Sequence, residues 1–96
     1  MIRILLLLAL FGCAGKSHRV DIRDMKFIPA DLEVKKGDNV VFVNHDIVNH
    51  NVTDASGGKW SSSVLAPDSS WTYKAIEKAD YYCSFHPVMK GKIVIR

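Results

Sequence analysis

The sequence predicts an all-β protein, a Greek-key sandwich of about seven or eight short strands. Three observations point there. Apolar residues alternate with polar ones in short runs, turn-forming residues interrupt those runs at close intervals, and after residue 12 no segment keeps a helical period. The chain of 96 residues has room for one domain, and at 48% apolar and 24% charged it has the composition of a folded chain. A domain of this size buries only about 60–65% of its unfolded surface, enough for one core with one site at its edge. A large substrate cleft is excluded.

The first residues read as an export signal. Met1, Ile2 and Arg3 make a short positive start, and residues 4–11 (ILLLLALF) are an unbroken apolar run. That run is far shorter than the ~20 residues needed to cross a bilayer and suits a signal peptide. Leu10-Phe11-Gly12-Cys13 resembles a bacterial lipoprotein signal, with cleavage after Gly12 and a lipid on Cys13. The alternative is a plain secretory signal in which Cys13 falls by chance. The expected organisation is a lipoprotein-type signal peptide over 1–12, a lipid-attached tether over 13–19 and one domain over 20–96. The expected location is the periplasm, with the chain lipid-anchored to a membrane, and Ala14 after the cysteine favours the outer one.

The strands follow in order. Val20 and Ile22 begin an alternating segment that takes in Met25 and Phe27 as core residues and closes at Pro29. Leu32 and Val34 alternate with charged neighbours, and Lys36-Gly37-Asp38-Asn39 supplies a turn. Val40 to Val43 is a continuous apolar run, the pattern of a strand buried on both faces. Asn51 to Thr53 reads as a short strand, Ser56-Gly57-Gly58 breaks the chain, and Pro67-Asp68-Ser69 turns it again. Trp71, Tyr73 and Ala75 alternate with polar residues; Trp60 and Trp71 read as packing residues of the sandwich. Asp80 to Cys83 and Lys92 to Arg96 are the last two strands, joined by a loop carrying His86, Pro87 and Met89.

The charge balance, Lys and Arg exceeding Asp and Glu by 3, shows no basic stripe and gives no reason to expect nucleic acid as a partner. The cysteines say more. There are two, Cys13 and Cys83, in a chain bound for an oxidising compartment. With Cys13 lipidated, Cys83 lacks a disulfide partner, and a metal is the group that would hold its sulfur. A Cys13–Cys83 disulfide and a buried inert thiol are the alternatives. Cys83, His86 and Met89 stand at intervals of three, and His50 lies upstream in Asn49-His50-Asn51-Val52. A soft thiolate, two imidazoles and a thioether form the donor set of a copper site that serves both oxidation states, with the thioether as a weak axial contact.

With those residues in view, the sequence resembles the cupredoxins, the type 1 blue copper family, and most closely the amicyanin and plastocyanin-like domains. The resemblance runs from Val20 to Arg96. It is carried by Val20-Asp21-Ile22, Met25-Lys26-Phe27, Val34-Lys35-Lys36-Gly37-Asp38, His50-Asn51-Val52 and the Y-x-C-x-x-H-P-x-M-K-G-K run from Tyr81 to Lys92. It implies one type 1 copper per chain, held by His50, Cys83 and His86 in the plane and Met89 on the axis. Asn51 would tie the two ligand segments together by hydrogen bonding. The sequence departs from the family at Asp68, where glycine often follows proline, at Ala79-Asp80, and at Phe85, where amicyanin-like loops carry proline. Unlike proline, Phe85 has a backbone N–H, which is expected to donate to the Cys83 sulfur and raise the reduction potential. His45 lacks the Asn-Val context and reads as a surface histidine; His18, in the tether, reads as solvated.

The expected function is one-electron transfer between periplasmic proteins, with no substrate turned over. Expected partners are redox proteins such as a c-type cytochrome, a dehydrogenase or a reductase. The protein itself is expected to be a monomer that meets the membrane only through its lipid. The alternative is a copper protein for storage, delivery or sensing, although the chain has no cluster of methionines. Structural zinc would want a fourth Cys or His in place of the thioether. With 4 histidines the chain cannot build the trinuclear cluster of the copper oxidases.

Overall fold

The computed structural model describes residues 15–96. The expected signal segment, Cys13 and its lipid therefore lie outside the described residues.

Eight strands follow one another: β1 (Ser17–Arg23), β2 (Lys26–Ile28), β3 (Asp31–Val34), β4 (Asn39–Asn44), β5 (Thr53–Asp54), β6 (Ser70–Lys74), β7 (Ala79–Cys83) and β8 (His86–Ile95). They form two four-stranded sheets, ordered β2-β1-β4-β6 and β3-β8-β7-β5. Each sheet contains one parallel pair, β1 with β4 and β3 with β8, and the other pairs are antiparallel. The sheets face each other across one apolar core, the sandwich that alternation predicts.

β1 starts at Ser17, so the domain takes in Ser17, His18 and Arg19, which the sequence alone assigns to the tether. His18 is half-buried and paired rather than free in solvent: its Nε2 lies 2.9 Å from the carboxylate of Asp38. That carboxylate, in the turn before β4, also accepts the N–H groups of Lys16 and Lys35, each at 3.0 Å. The His18 ring, then the two amides, outweigh desolvation and hold the Asp38 carboxyl down to about 2. A depressed carboxyl stabilises the fold fully above its unfolded value near 3.8 and loses that effect as pH falls toward 2. The urea midpoint of the wild type is therefore expected to drop between about pH 5 and pH 2 more steeply than that of Asp38→Asn. Parallel slopes would show that Asp38 carries none of the acid sensitivity.

Met25, expected in the core, is 41% exposed. The run from β1 to β2 is a tight hairpin in which Arg23 faces Lys26. Asp24 and Met25 form its turn, both at positive φ (54° and 61°). Such paired left-handed residues suit the right-handed twist of a hairpin, but glycine or asparagine normally fills them. The period of the sequence therefore breaks at residue 24, and the inward positions are Val20, Ile22 and Phe27. Asp68 is the residue at positive φ (67°) in its turn, a position that favours glycine.

β4 is fully buried on one face only: Val40, Phe42 and Asn44 are buried, whereas Val41 and Val43 on the other face are half-buried. Its inner face continues onto β6 through Phe42 opposite Trp71 and Val40 opposite Tyr73. On that side the second sheet offers only the two residues of β5. Trp60 fills the gap, stacking on Tyr73 at 4.4 Å and on Trp71 at 5.9 Å between ring centroids. The tryptophans thus close the open side of the sandwich, in keeping with a packing role.

Candidate metal centre

Two segments meet at one end of the sandwich. The first leaves β4 at Asn44, a buried polar residue whose side chain organises the loop leading to His50. Its Oδ1 accepts from the Asp46 N–H at 2.9 Å, and its Nδ2 donates to the carbonyls of Val48 and Leu65, each at 2.9 Å. This local bonding keeps the chain from continuing as a strand and returns it inward. His50 is then pinned by two backbone bonds with Leu65, at 3.1 and 2.8 Å. The side chain of His50 is fully buried.

The second segment is the β7–β8 hairpin. Ser84 and Phe85 make its turn, with Cys83 facing His86. From that pair the register jumps to Tyr82 facing Lys90. Pro87, Val88 and Met89 are left over as a bulge on β8. The expected loop is thus a bulge inside a ten-residue strand. The physical reason is proline: Pro87 has no N–H for a ladder, and a bulge is where a strand tolerates that. The bulge also turns Met89 inward, where it is buried, and leaves Val88 88% exposed.

The His50 Nδ1 lies 3.7 Å from the Sγ of Cys83, and the rings of His50 and His86 are 5.1 Å apart between centroids. Cys83 is a free, fully buried thiol. His86 is half-buried. These contacts bring His50, Cys83 and His86 to one place, with Met89 buried three residues beyond His86. Among the described residues, no three His, Cys, Asp or Glu side chains close into a cation cage. His50, Cys83 and His86 are therefore neighbours short of a closed cage, and with the thioether of Met89 they make up a mixed nitrogen and sulfur donor set.

Supporting bonds surround that set. The Asn51 N–H donates to Sγ at 3.4 Å. The Asn51 side chain crosses to the hairpin turn, accepting from the Ser84 N–H at 2.8 Å and donating to Ser84 Oγ at 2.7 Å. The bond expected from Phe85 to Sγ is not present: Phe85 is the outer residue of the turn, 48% exposed, and the donor to sulfur comes from Asn51 on the opposite segment. His45 bonds through Nε2 to Asp21 at 2.8 Å and takes no part in the site. Sequence reasoning missed Asp46, whose Oδ2 lies 2.8 Å from the Nε2 of His50. Burial pushes the Asp46 carboxyl up, but donation from Met25, His50 and Asp24 outweighs it and holds it below its usual value. The position of Asp46 four residues before a candidate ligand was the available signal.

The donor chemistry fits a copper ion. Nε2 of His50 is committed to Asp46, which leaves the Nδ1 lone pair aimed at the thiol, the division of roles usual for a metal-binding histidine. The chain belongs to the plastocyanin/azurin family of copper-binding proteins, whose family model matches residues 14–96. Its cofactor is copper, one type 1 ion per chain. It is similar to amicyanin of Paracoccus denitrificans, 34% identical over 82 residues that cover 79% of this chain and 63% of that one. It is also similar to amicyanin-alpha of Methylorubrum extorquens, 36% identical over 85 residues covering 82% and 71%. The crystal structure of Paracoccus versutus amicyanin superposes with a TM-score of 0.74 at 27% identity, over 83% of this chain and 81% of that one. The chain spans 63% and 62% of the length of the two Paracoccus amicyanins.

Proposed function

We propose that this protein is a one-electron carrier whose copper is held by His50, Cys83, His86 and Met89, and that it turns over no substrate. The observation that carries the reading is the asymmetry of the donors. His50 and Cys83 are fully buried and pinned by hydrogen bonds, while His86 is half-buried at the molecular end. Rigid donors suit a metal that changes charge without changing neighbours, and an exposed ligand edge offers the electron a short way out. Bound copper would supply the Cu(I)/Cu(II) couple.

The surroundings of His86 support docking by a second protein. Phe85 and Val88 flank it as exposed apolar residues, and Ile47, 94% exposed, and Val48 lie in the segment that leads to His50. A small apolar patch of this kind suits the weak, brief encounters of redox proteins. A c-type cytochrome, a dehydrogenase or a reductase in the periplasm would fit it. The amicyanin relatives support this reading over storage or delivery, as does the absence of a methionine cluster in the sequence.

The test is optical. Addition of Cu(II) to the purified protein is expected to give an intense visible thiolate-to-copper band, absent from Cys83→Ser. A colourless protein, or one that binds copper equally well without Cys83, would overturn the carrier reading and bring storage forward.

A further inference from the structure

The hairpin turn between β1 and β2 lies outside the donor set, yet it is joined to it through one carboxylate. Asp46 Oδ1 accepts from the Asp24 N–H at 2.7 Å, and Oδ2 accepts from the Met25 N–H at 3.0 Å and faces His50 Nε2 at 2.8 Å. Asp24 and Met25 both hold left-handed backbone conformations, which are unfavourable for a non-glycine residue and persist where the surroundings impose them. Here the imposing group is the carboxylate: the turn points two successive amides at it, and bonds to an ionised acceptor are about twice as strong as neutral ones. Asp46 is itself fixed from behind by its N–H on Asn44.

From this geometry we infer that Asp46 is a positioning residue for His50, held by the Asp24–Met25 turn, and that its charge lowers the reduction potential of the copper centre. The inference rests on the function proposed above. Two effects arise from one group. By taking the Nε2 proton as a hydrogen bond, Asp46 fixes the tautomer whose Nδ1 faces Cys83. By carrying a negative charge behind the ring, it favours Cu(II), the more positive state, over Cu(I). The turn amides keep that carboxylate in place.

Two substitutions separate the effects. Asp46→Asn removes the charge and can keep an Oδ1 acceptor for Nε2 only by turning its amide N–H toward the Asp24 N–H, whereas Asp46→Ala removes charge and acceptor together. Asp21→Asn is the control: Asp21 is another carboxylate that pairs with a histidine, but with His45 instead of a donor. In the copper-loaded protein, Asp46→Asn is expected to shift the Cu(I)/Cu(II) ratio about tenfold toward Cu(I), a rise of about 59 mV for one electron. Asp21→Asn is expected to move it far less. In the metal-free protein, nitrogen NMR of His50 is expected to show the Nε2–H tautomer in the wild type and in Asp46→Asn, and a mixture in Asp46→Ala. The inference is overturned by equal potentials for Asp46→Asn and wild type, or by an unchanged tautomer in Asp46→Ala. Failure of the carrier reading would look different, as loss of the visible band in the wild type itself.

Discussion

Gly91→Ala is expected to destabilise the protein by at least about 3 kcal/mol, the upper end of overpacking in a dense core, and to leave much of it unfolded at 37 °C. Gly91 sits on β8 directly opposite Tyr81 on β7, and the tyrosine ring lies across the place where its side chain would be. A Cβ there would stand 2.3 Å from both Cζ and Oη of Tyr81 and 2.5 Å from Cε1. Gly91 is not among the glycines at positive φ, so the cost is steric and owes nothing to backbone conformation. The ring cannot swing aside, because it is wedged edge-on between Phe27 at 4.8 Å and Phe42 at 5.2 Å. Met89 is two residues away on the same strand, so a displaced β8 would also disturb the metal centre. Urea unfolding of Gly91→Ala, Tyr81→Leu and the double variant checks the mechanism. The double variant should recover part of the loss, and strictly additive losses would show that the two residues do not collide. The Tyr81 hydroxyl is buried and finds no hydrogen-bond partner among the described residues, so Tyr81→Phe should cost little.

Asn51→Ala is expected to weaken copper binding by about 10–100-fold, the usual effect of removing a residue that holds ligands in place. It should also lower stability by about 2 kcal/mol. Asn51 is buried, and its side chain makes three hydrogen bonds: two with Ser84 and one accepted from Thr53 at 3.1 Å. Alanine would strand the Ser84 N–H and free the hairpin turn beside Cys83 and His86. The backbone N–H of Asn51 would remain to donate to Sγ, so the visible band should survive while affinity falls. Competitive titration against a chelator measures this. An unchanged affinity would mean that the turn holds its shape alone, and loss of the band would mean that the side chain shapes the sulfur environment directly.

The sandwich is legible in the sequence because the inward residues of β1 and β3 alternate with polar neighbours, while β4 shows only as a continuous apolar run between turn signals. His50, Cys83, His86 and Met89 stand out as well, because a mixed nitrogen and sulfur set at such spacing has few other uses. The sequence is silent where a single residue breaks its own propensity. Met25 reads as the next apolar residue of a strand, and only the carboxylate of Asp46, distant in sequence, explains how it turns a hairpin. His18 looks like part of a polar tether until β4 supplies Asp38. The bulge at Pro87–Met89 reads as a loop because the one-residue signal, proline, marks both. Asp46 escapes notice because a carboxylate beside a turn usually has a local role.

The parallel pairs have a consequence for the order of events in folding. β3 has one partner, β8, and its residues Asp31 to Val34 meet Lys92 to Ile95 across most of the described chain. The β1–β4 pair, by contrast, is available once residue 44 has been made. The first sheet can begin early, but β3 stays an open edge until the final strand arrives, and closing so long a loop is slow. A chain halted before residue 92 would expose Leu32 and Val34 along an unpaired edge, the form most prone to aggregate. The interval between those two moments is the one in which β3 lacks its partner and the second sheet its edge.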